Sequence, residues 1–268
     1  MRSGNPALND SSFTSVGSSA DNMTLEGTAT KTLLALLLVV VAAGYTFHLS
    51  TSELVAKDVQ VIEEEGRLAQ LGSVPASTWG FIVVGSLSAF VVAIIYCFNP
   101  KAWPLVLVYA SLEGLAVGSW SAMFEYMYPN VVAPAALLTF GILFSLLILY
   151  KMKFIQATEN FKLAVFAATG GVCLYYIINM VSRGFFGYEM PLIYDTGIGG
   201  IIFSLVVVGI AAANLVWDFD FIEKGVEYKA PKYMEWYGAF GLMVTLIWLY
   251  LELVRLLAKA SANSSSSD

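Results

Sequence analysis

The segment Asn214–Glu223 places three acidic side chains close together at the end of a long apolar run. Asp218 lies four residues after Asn214, so the two share one face of a helix. Acids at the carboxyl end of a helix oppose its dipole, so a cation, a proton or a basic neighbour must compensate them. We interpret Asp218 and Asp220, with Asn214 beside them, as a candidate calcium or proton site. The alternative for Asp220 is an ordinary i,i+4 ion pair with Lys224.

Glu113 lies in the middle of another apolar run. An ionisable group at the centre of a membrane helix costs roughly 2.5–3.5 kcal/mol on insertion scales. Gly114 and Gly118 follow it as two small residues four apart, a pattern that lets a second helix approach closely. Two interpretations are open. Glu113 is either a proton or cation site within a helix bundle, or a protonated, hydrogen-bonded carboxyl that holds helices together.

Two further acids lie at the ends of the last apolar run, Glu235 just before it and Glu252 near its end. Glu252 precedes Arg255 by three residues, a spacing that favours an ion pair near the membrane surface, with a gating role for Glu252 as the alternative. Glu235 lies just before the run, where the positive end of a helix dipole stabilises an acid. We interpret Glu235 as a helix cap.

Several kinds of chemistry are excluded by residue content. With His48 as the single histidine, neither a histidine-based zinc site nor a Ser-His-Asp triad is available. Cys97 and Cys173 lie in apolar runs and predict no disulfide framework. The last run contains no lysine for a retinal Schiff base. The net charge is −6 without a basic patch, so a nucleic-acid partner is not expected, and nothing indicates an enzyme or a cofactor.

The elements that must position these residues are transmembrane helices. Apolar residues make up 58% of the 268-residue chain, charged residues only 13%, and the mean hydropathy is +0.72. Many of the apolar runs end in Trp or Tyr, as at a membrane interface. We therefore predict an all-α polytopic membrane protein with seven spans. The spans are Thr32–Leu49, Trp79–Phe98, Trp103–Phe124, Val131–Tyr150, Phe161–Val181, Gly197–Trp217 and Trp236–Leu257.

The predicted membrane domain covers residues 31–258, between a polar tail at residues 1–30 and a Ser-rich tail at residues 259–268, both predicted to be disordered. The connections are short except Ser50–Thr78 and Asp218–Glu235. Basic residues favour a cytoplasmic N-terminus, since cytoplasmic loops are enriched in Lys and Arg. The N-terminal side holds nine of them, Arg2, Lys31, Lys101, Lys151, Lys153, Lys162, Lys224, Lys229 and Lys232, against five on the other side, Lys57, Arg67, Arg183, Arg255 and Lys259.

Three segments in order along the seven runs resemble the Bax inhibitor-1/YccA family. Leu112–Gly118 is similar to the family's third-helix pattern, in which a Pro-containing connection, here with Pro129, leads to the fourth helix. Leu215–Ile222 is similar to the aromatic-Asp end of its sixth helix, and Leu253–Leu257 to its Leu-Leu-Arg ending. The long N-terminal tail and the stretch Ala230–Gly241 resemble a bacterial subgroup.

The resemblance implies a bundle with a central last helix and a pH-sensitive calcium leak gated by two acids that share one proton. Asp218 matches the first acid. Counting without gaps places the second near Met243 or Val244, which are apolar. The pair would therefore be rebuilt from Asp218, Asp220 and Glu113, or be missing. Two close carboxylates cannot both ionise cheaply, so loss of the shared proton would add repulsion and open a helix contact.

These observations lead to one functional hypothesis and two alternatives. The first is a calcium or other cation leak in the inner membrane, with Asp218 as its proton-sensitive gate and calcium as the transported ion. The second is a regulator without transport activity that binds a membrane protease, as the resemblance to YccA implies. The third is a proton-coupled transporter that uses Glu113 in mid-membrane.

Overall fold

The computed structural model describes residues 22–64, 74–188 and 190–265. This part of the chain forms seven α-helices without a β-strand; a single β-bridge joins Asn22 to Pro231. The helices are α1 Leu25–Glu64, α2 Ala76–Phe98, α3 Pro104–Met127, α4 Val132–Lys151, α5 Glu159–Phe186, α6 Ile198–Glu227 and α7 Met234–Ser265.

Local sequence signals set several helix ends. Pro104 occupies the first turn of α3, where the missing N–H costs nothing. Thr158 caps α5 by accepting a hydrogen bond of 3.3 Å from the Phe161 N–H. The same helix ends at Gly187, whose φ of +65° lies in the left-handed region that glycine adopts at low cost.

All seven described helices are long and apolar enough to cross a membrane. The predicted fold class is therefore confirmed, and the chain is a multi-pass membrane protein in a lipid bilayer. Large apolar side chains such as Leu137 on α4 and Phe166 on α5 are exposed on the outside of the bundle. Lipid covers such surfaces in a membrane, so they need no protein partner.

The last helix, α7, packs against α1, α3, α4 and α6, which agrees with the predicted central C-terminal helix. Its side chains supply much of the buried core, including Met243, Leu249 and Val254, which are fully buried. Aromatic contacts extend this core: Phe240 meets the rings of Tyr96 and Tyr109 edge-on at 5.1 and 5.0 Å between centroids. Every helix that carries a candidate site residue thus has α7 as its neighbour or is α7 itself.

The small-residue pair on α3 brings α1 into close contact, as its spacing predicts. A Cβ atom at Gly114 would lie 2.7 Å from the Val39 carbonyl oxygen, and one at Gly118 would overlap the Ala43 carbonyl. Two hydrogen bonds cross the same contact. Thr46 donates to the Leu115 carbonyl at 2.9 Å, and the Ser50 and Ser119 hydroxyls pair at 3.1 Å.

The structure corrects the predicted ends of several elements. α1 continues to Glu64 through the first half of the predicted Ser50–Thr78 loop, where the glutamates, one lysine and one glutamine are good helix formers. α6 likewise continues to Glu227, into the predicted Asp218–Glu235 connection. At the C-terminus, α7 continues to Ser265 through most of the predicted tail, and the buried Lys259 ammonium at the start of this extension bonds two backbone carbonyls.

The predicted N-terminal tail also ends earlier than expected. Met23 donates a backbone hydrogen bond of 2.7 Å to Ala230, and α1 begins at Leu25, so residues 22–30 are ordered against the α6–α7 connection. Residues 1–21 and 266–268, where the rest of the two predicted tails falls, lie outside the described residues.

Candidate functional site

Asp218 lies on α6 and faces the central helix α7. It lines a cavity of about 350 Å³ between the two helices. The Thr245 hydroxyl on α7 is within hydrogen-bonding reach of the carboxylate, and Gly241 leaves room for it. The second carboxylate oxygen, Oδ2, is buried without a hydrogen-bond partner among the described residues. A buried carboxylate without a basic partner is the unusual feature of this site, because nearly all buried polar atoms in proteins are paired.

The rest of the cavity wall consists of Asn214, four aromatic side chains and two glycines. Asn214 lies one helical turn before Asp218 and lines the same cavity, as the spacing of the two residues predicts. Its amide nitrogen donates to Thr169 at 2.8 Å and to the Ile210 carbonyl at 2.9 Å. Both amide hydrogens are thus used, which leaves the amide oxygen as an acceptor. The other lining residues are Trp217, Phe221, Tyr237, Gly238, Phe240 and Gly241.

Asp220 does not join Asp218. Its carboxylate pairs with Lys162 on α5 at 2.7 Å and with Lys224 on its own helix at 3.1 Å. The alternative interpretation, an i,i+4 ion pair with Lys224, therefore describes Asp220, and α5 supplies a second lysine. Because residues two apart on a helix point about 200° apart around its axis, the two aspartates face different neighbours. Among the described residues, no group of three His, Cys, Asp or Glu side chains is arranged to hold a metal ion.

No second acid takes the place that the resemblance assigns to it. Met243 is fully buried in an apolar cluster with Phe240 and Ile247. Glu113 is partly buried on α3, one turn after Tyr109, whose ring contacts Phe240 in the cavity wall. Glu113 itself does not line the Asp218 cavity, and among the described residues Asp218 has no carboxylate as its hydrogen-bonding partner.

A comparison with known protein families identifies the family of this chain. Residues 5–262 match the family model described as Bax inhibitor 1 like. The chain belongs to the Bax inhibitor-1 family. Comparisons with curated proteins and with solved structures returned no match. The match covers all seven helices, so the resemblance in the three segments named above extends over the membrane domain.

In this Bax inhibitor-1 family protein, Glu252 belongs to a separate cluster in the other half of the bundle. Arg255 donates to Glu252 at 2.6 Å, as the i,i+3 interpretation predicts. The Tyr176 hydroxyl on α5 lies 3.0 and 3.2 Å from the two carboxylate oxygens, between which its one hydrogen is shared, and the Trp248 indole N–H donates at 3.3 Å. The Arg255 guanidinium also lies over the Trp120 ring at 5.7 Å. The carboxylate is fully buried rather than near the surface, and its donors satisfy it fully.

Replacing Arg255 with glutamine should lower the free energy of unfolding by about 1–3 kcal/mol, because a buried carboxylate loses its charged donor. Arg255→Lys should recover only part of the loss, since an ammonium cannot bond Glu252 and Tyr176 while stacking on Trp120. Thermal unfolding in detergent, followed by tryptophan fluorescence, measures both effects. Full recovery in Arg255→Lys would contradict a requirement for the guanidinium geometry.

Glu235, interpreted from the sequence as a helix cap, instead ties α7 to the start of α1. Its carboxylate forms an ion pair with Lys31 and accepts hydrogen bonds from the Thr24 N–H at 3.0 Å and the Thr24 hydroxyl at 2.8 Å. The Thr24 hydroxyl in turn accepts from the Gly27 N–H, so Thr24 caps α1. Glu235 does lie in the first turn of α7, but its partners are more than 200 residues away in sequence, and no local pattern predicts them.

Sequence analysis also missed Thr245 and Tyr176 as partners of buried acids. A signal was present for Thr245, which is a hydroxyl within the last apolar run and needs a hydrogen-bond partner there. Tyr176 carried no such signal, because tyrosine is common near membrane interfaces for other reasons.

Proposed function

We propose that this Bax inhibitor-1 family protein is a proton-sensitive calcium leak whose gate is Asp218. The observation that carries the proposal is the Asp218 Oδ2 atom, which is buried against a cavity and has no hydrogen-bond partner among the described residues. An isolated ionised carboxylate is very costly in a low-dielectric interior. Asp218 is therefore stable only with a proton or with a cation beside it.

The oxygens around the cavity suit a hard cation. Asp218 contributes a carboxylate and Asn214 an amide oxygen, since the Asn214 N–H groups are engaged elsewhere, while the Thr245 hydroxyl bonds the carboxylate from α7. Calcium prefers such oxygen ligands and tolerates irregular geometry. The two Asp218 oxygens and the Asn214 amide oxygen are fewer than the six to eight ligands that calcium takes, so water would complete the shell. Weak, water-rich binding suits an ion that must also leave the site.

A single carboxylate replaces the shared-proton pair that the family resemblance implies. Protonated Asp218 is neutral and leaves α6 and α7 packed together. When Asp218 loses its proton, the new charge draws water and cations into the cavity between the two helices. Calcium flux should therefore rise as the pH is raised.

Calcium flux into proteoliposomes, measured over a range of pH, tests this proposal. Wild-type protein should show flux that increases with pH. Asp218→Asn, which imitates the protonated form, should hold flux at the low-pH level at every pH. Asp220→Asn is the matched control. It makes the same change two residues away on a carboxylate that pairs with two lysines, and it should keep the pH dependence.

Other outcomes would replace the proposal with one of its alternatives. Loss of the pH dependence only in Glu113→Gln would move the site to mid-membrane and favour a proton-coupled transporter. Folded protein without flux above empty liposomes would end the leak hypothesis. The alternative hypothesis, that the protein regulates a membrane protease, would then be the preferred one. Co-purification of a protease would support it.

We further propose that the chain lies in the inner membrane of a bacterium with a cytoplasmic N-terminus. More Lys and Arg residues lie on the side of the membrane that holds the N-terminus than on the other side, nine against five, which supports this orientation. The Asp218 cavity would then lie toward the cytoplasmic ends of α6 and α7.

A further inference from the structure

A groove on the outside of the bundle separates α1 from α4. The backbones of these two helices do not approach each other in the described part of the chain, although both pack near α7. The space between them is a cavity of about 290 Å³. α3 and α7 form its floor, with residues that include Val117, Leu246 and Ile247, and α1 and α4 form its walls.

The hydroxyl groups that line the groove already donate their hydrogens within the protein. Its polar side chains are Ser121, Thr139 and Tyr250, and each has a partner inside the protein. Ser121 donates to the Val117 carbonyl at 2.7 Å, its oxygen pairs with the Tyr250 hydroxyl at 2.7 Å, and Thr139 donates to the Ala135 carbonyl at 2.8 Å. Cavities lined in this way exclude water and bind apolar molecules.

The groove is continuous with the lipid-covered surface of the bundle. Val40 on α1 and Phe140 on α4 both line it, and 57% and 42% of their surfaces are exposed. The α4 lining residues, from Val132 to Phe140, lie in the first half of that helix, and the α3 lining residues, from Val117 to Ser121, lie past the middle of theirs. The groove therefore opens into the leaflet opposite the N-terminal end of α1.

We propose that the acyl chain of a bilayer lipid from that leaflet binds in this groove as a specific ligand. An apolar lining, an opening to the hydrocarbon and the absence of unpaired polar groups together select a hydrocarbon chain. A methylene fills about as much space as a water molecule, about 30 Å³, so the groove holds about ten chain carbons.

Such a chain would support the central helix from the side opposite the Asp218 cavity. Leu246 and Ile247 contact the groove, whereas the adjacent Thr245 faces Asp218. A lipid chain in the groove thus limits the movement of α7 away from α6 and the Asp218 cavity. The binding of lipid stands independently of the proposed leak, and it is tested without any measurement of flux.

Photo-crosslinking in nanodiscs tests the proposal directly. The probe is a phosphatidylcholine with a diazirine at the middle of one acyl chain, and mass spectrometry maps the labelled peptides. Peptides that contain Val132–Phe140 should be labelled severalfold more than peptides from the lipid-exposed face of α5 that contain Phe166. Gly44→Phe fills the groove from a position where a Cβ meets nothing within 4 Å, and it should remove the excess labelling.

Gly141→Phe is the matched control, because Gly141 is equally open but does not line the groove. It should leave the labelling pattern unchanged. Ala136→Leu fills the groove from the α4 side and gives a second test where Gly44→Phe does not fold. Labelling that follows exposed area alone, or that persists in the filled variants, would overturn the proposal. Crosslinks between two copies of the chain at these peptides would also overturn it, by assigning the groove to a second copy.

Discussion

Replacing Glu235 with glutamine should lower the free energy of unfolding by about 3–5 kcal/mol, the usual cost of breaking a buried ion pair. The carboxylate is fully buried and accepts from Thr24 while it pairs with Lys31. Glutamine keeps the shape but leaves the Lys31 ammonium, which is mostly buried, without a counter-charge. The thermal midpoint in detergent should fall by on the order of 10 °C.

The same substitution at an exposed acid provides the control. Glu159 also pairs with lysine, but 86% of its side chain is exposed, and exposed pairs contribute little. Glu159→Gln should therefore leave the midpoint almost unchanged. The double variant Lys31→Met, Glu235→Met should recover most of the lost stability, because two packed apolar side chains need no counter-charge. Equal and small effects at Glu235 and Glu159 would show that the tie between α1 and α7 contributes little.

Loss of the Glu235 contacts with Thr24 and Lys31 should also be detectable near the start of α1. Met23 packs beside Gly225 and Gly238 at the end of α6 and the start of α7. This contact and the Glu235 tie hold the start of α1 over the α6–α7 connection. In Glu235→Gln, limited proteolysis should therefore cut near the start of α1 faster than in wild-type protein.

Gly118→Val should be the most disruptive substitution among the glycines that face another helix. A Cβ at this position would overlap the Ala43 carbonyl and the Thr46 hydroxyl, and backbone atoms cannot rotate away. α1 would have to move off α3, which would also break the 2.9 Å hydrogen bond from Thr46 to Leu115. Overpacking usually costs 1–3 kcal/mol, and we expect about 3 kcal/mol or more here because the obstacle is backbone.

Unfolding in SDS titrations measures this effect against Gly141→Val. Gly141 lies in the middle of α4 with nothing within 4 Å of a Cβ, so the control isolates the effect of valine on a membrane helix. Gly141→Val should stay close to wild type. If the two variants unfold at the same SDS fraction, the close contact between α1 and α3 is not a main source of stability.

The amino-acid sequence alone determines the membrane architecture of this protein. Seven apolar runs separated by polar connections allow only a helical bundle, because a bilayer requires each span to satisfy its own backbone hydrogen bonds. Local spacing also determined which residues share a face. Asn214 and Asp218 line one cavity, Glu252 bonds Arg255, and the glycine pair on α3 forms a close helix contact.

Only the tertiary structure decided which neighbour each of those faces meets. Asp218 and Asp220 are two aspartates at the end of the same apolar run. In the structure Asp218 faces a cavity beside α7, whereas Asp220 faces Lys162 on α5. From the sequence Glu235 is interpreted as a local cap, but in the structure its partners are Thr24 and Lys31, near the other end of the chain. The physical reason is that helical periodicity specifies directions around one axis, whereas partners depend on how separate helices pack. In a membrane that packing is set by close side-chain fit rather than by an apolar pattern that all helices share.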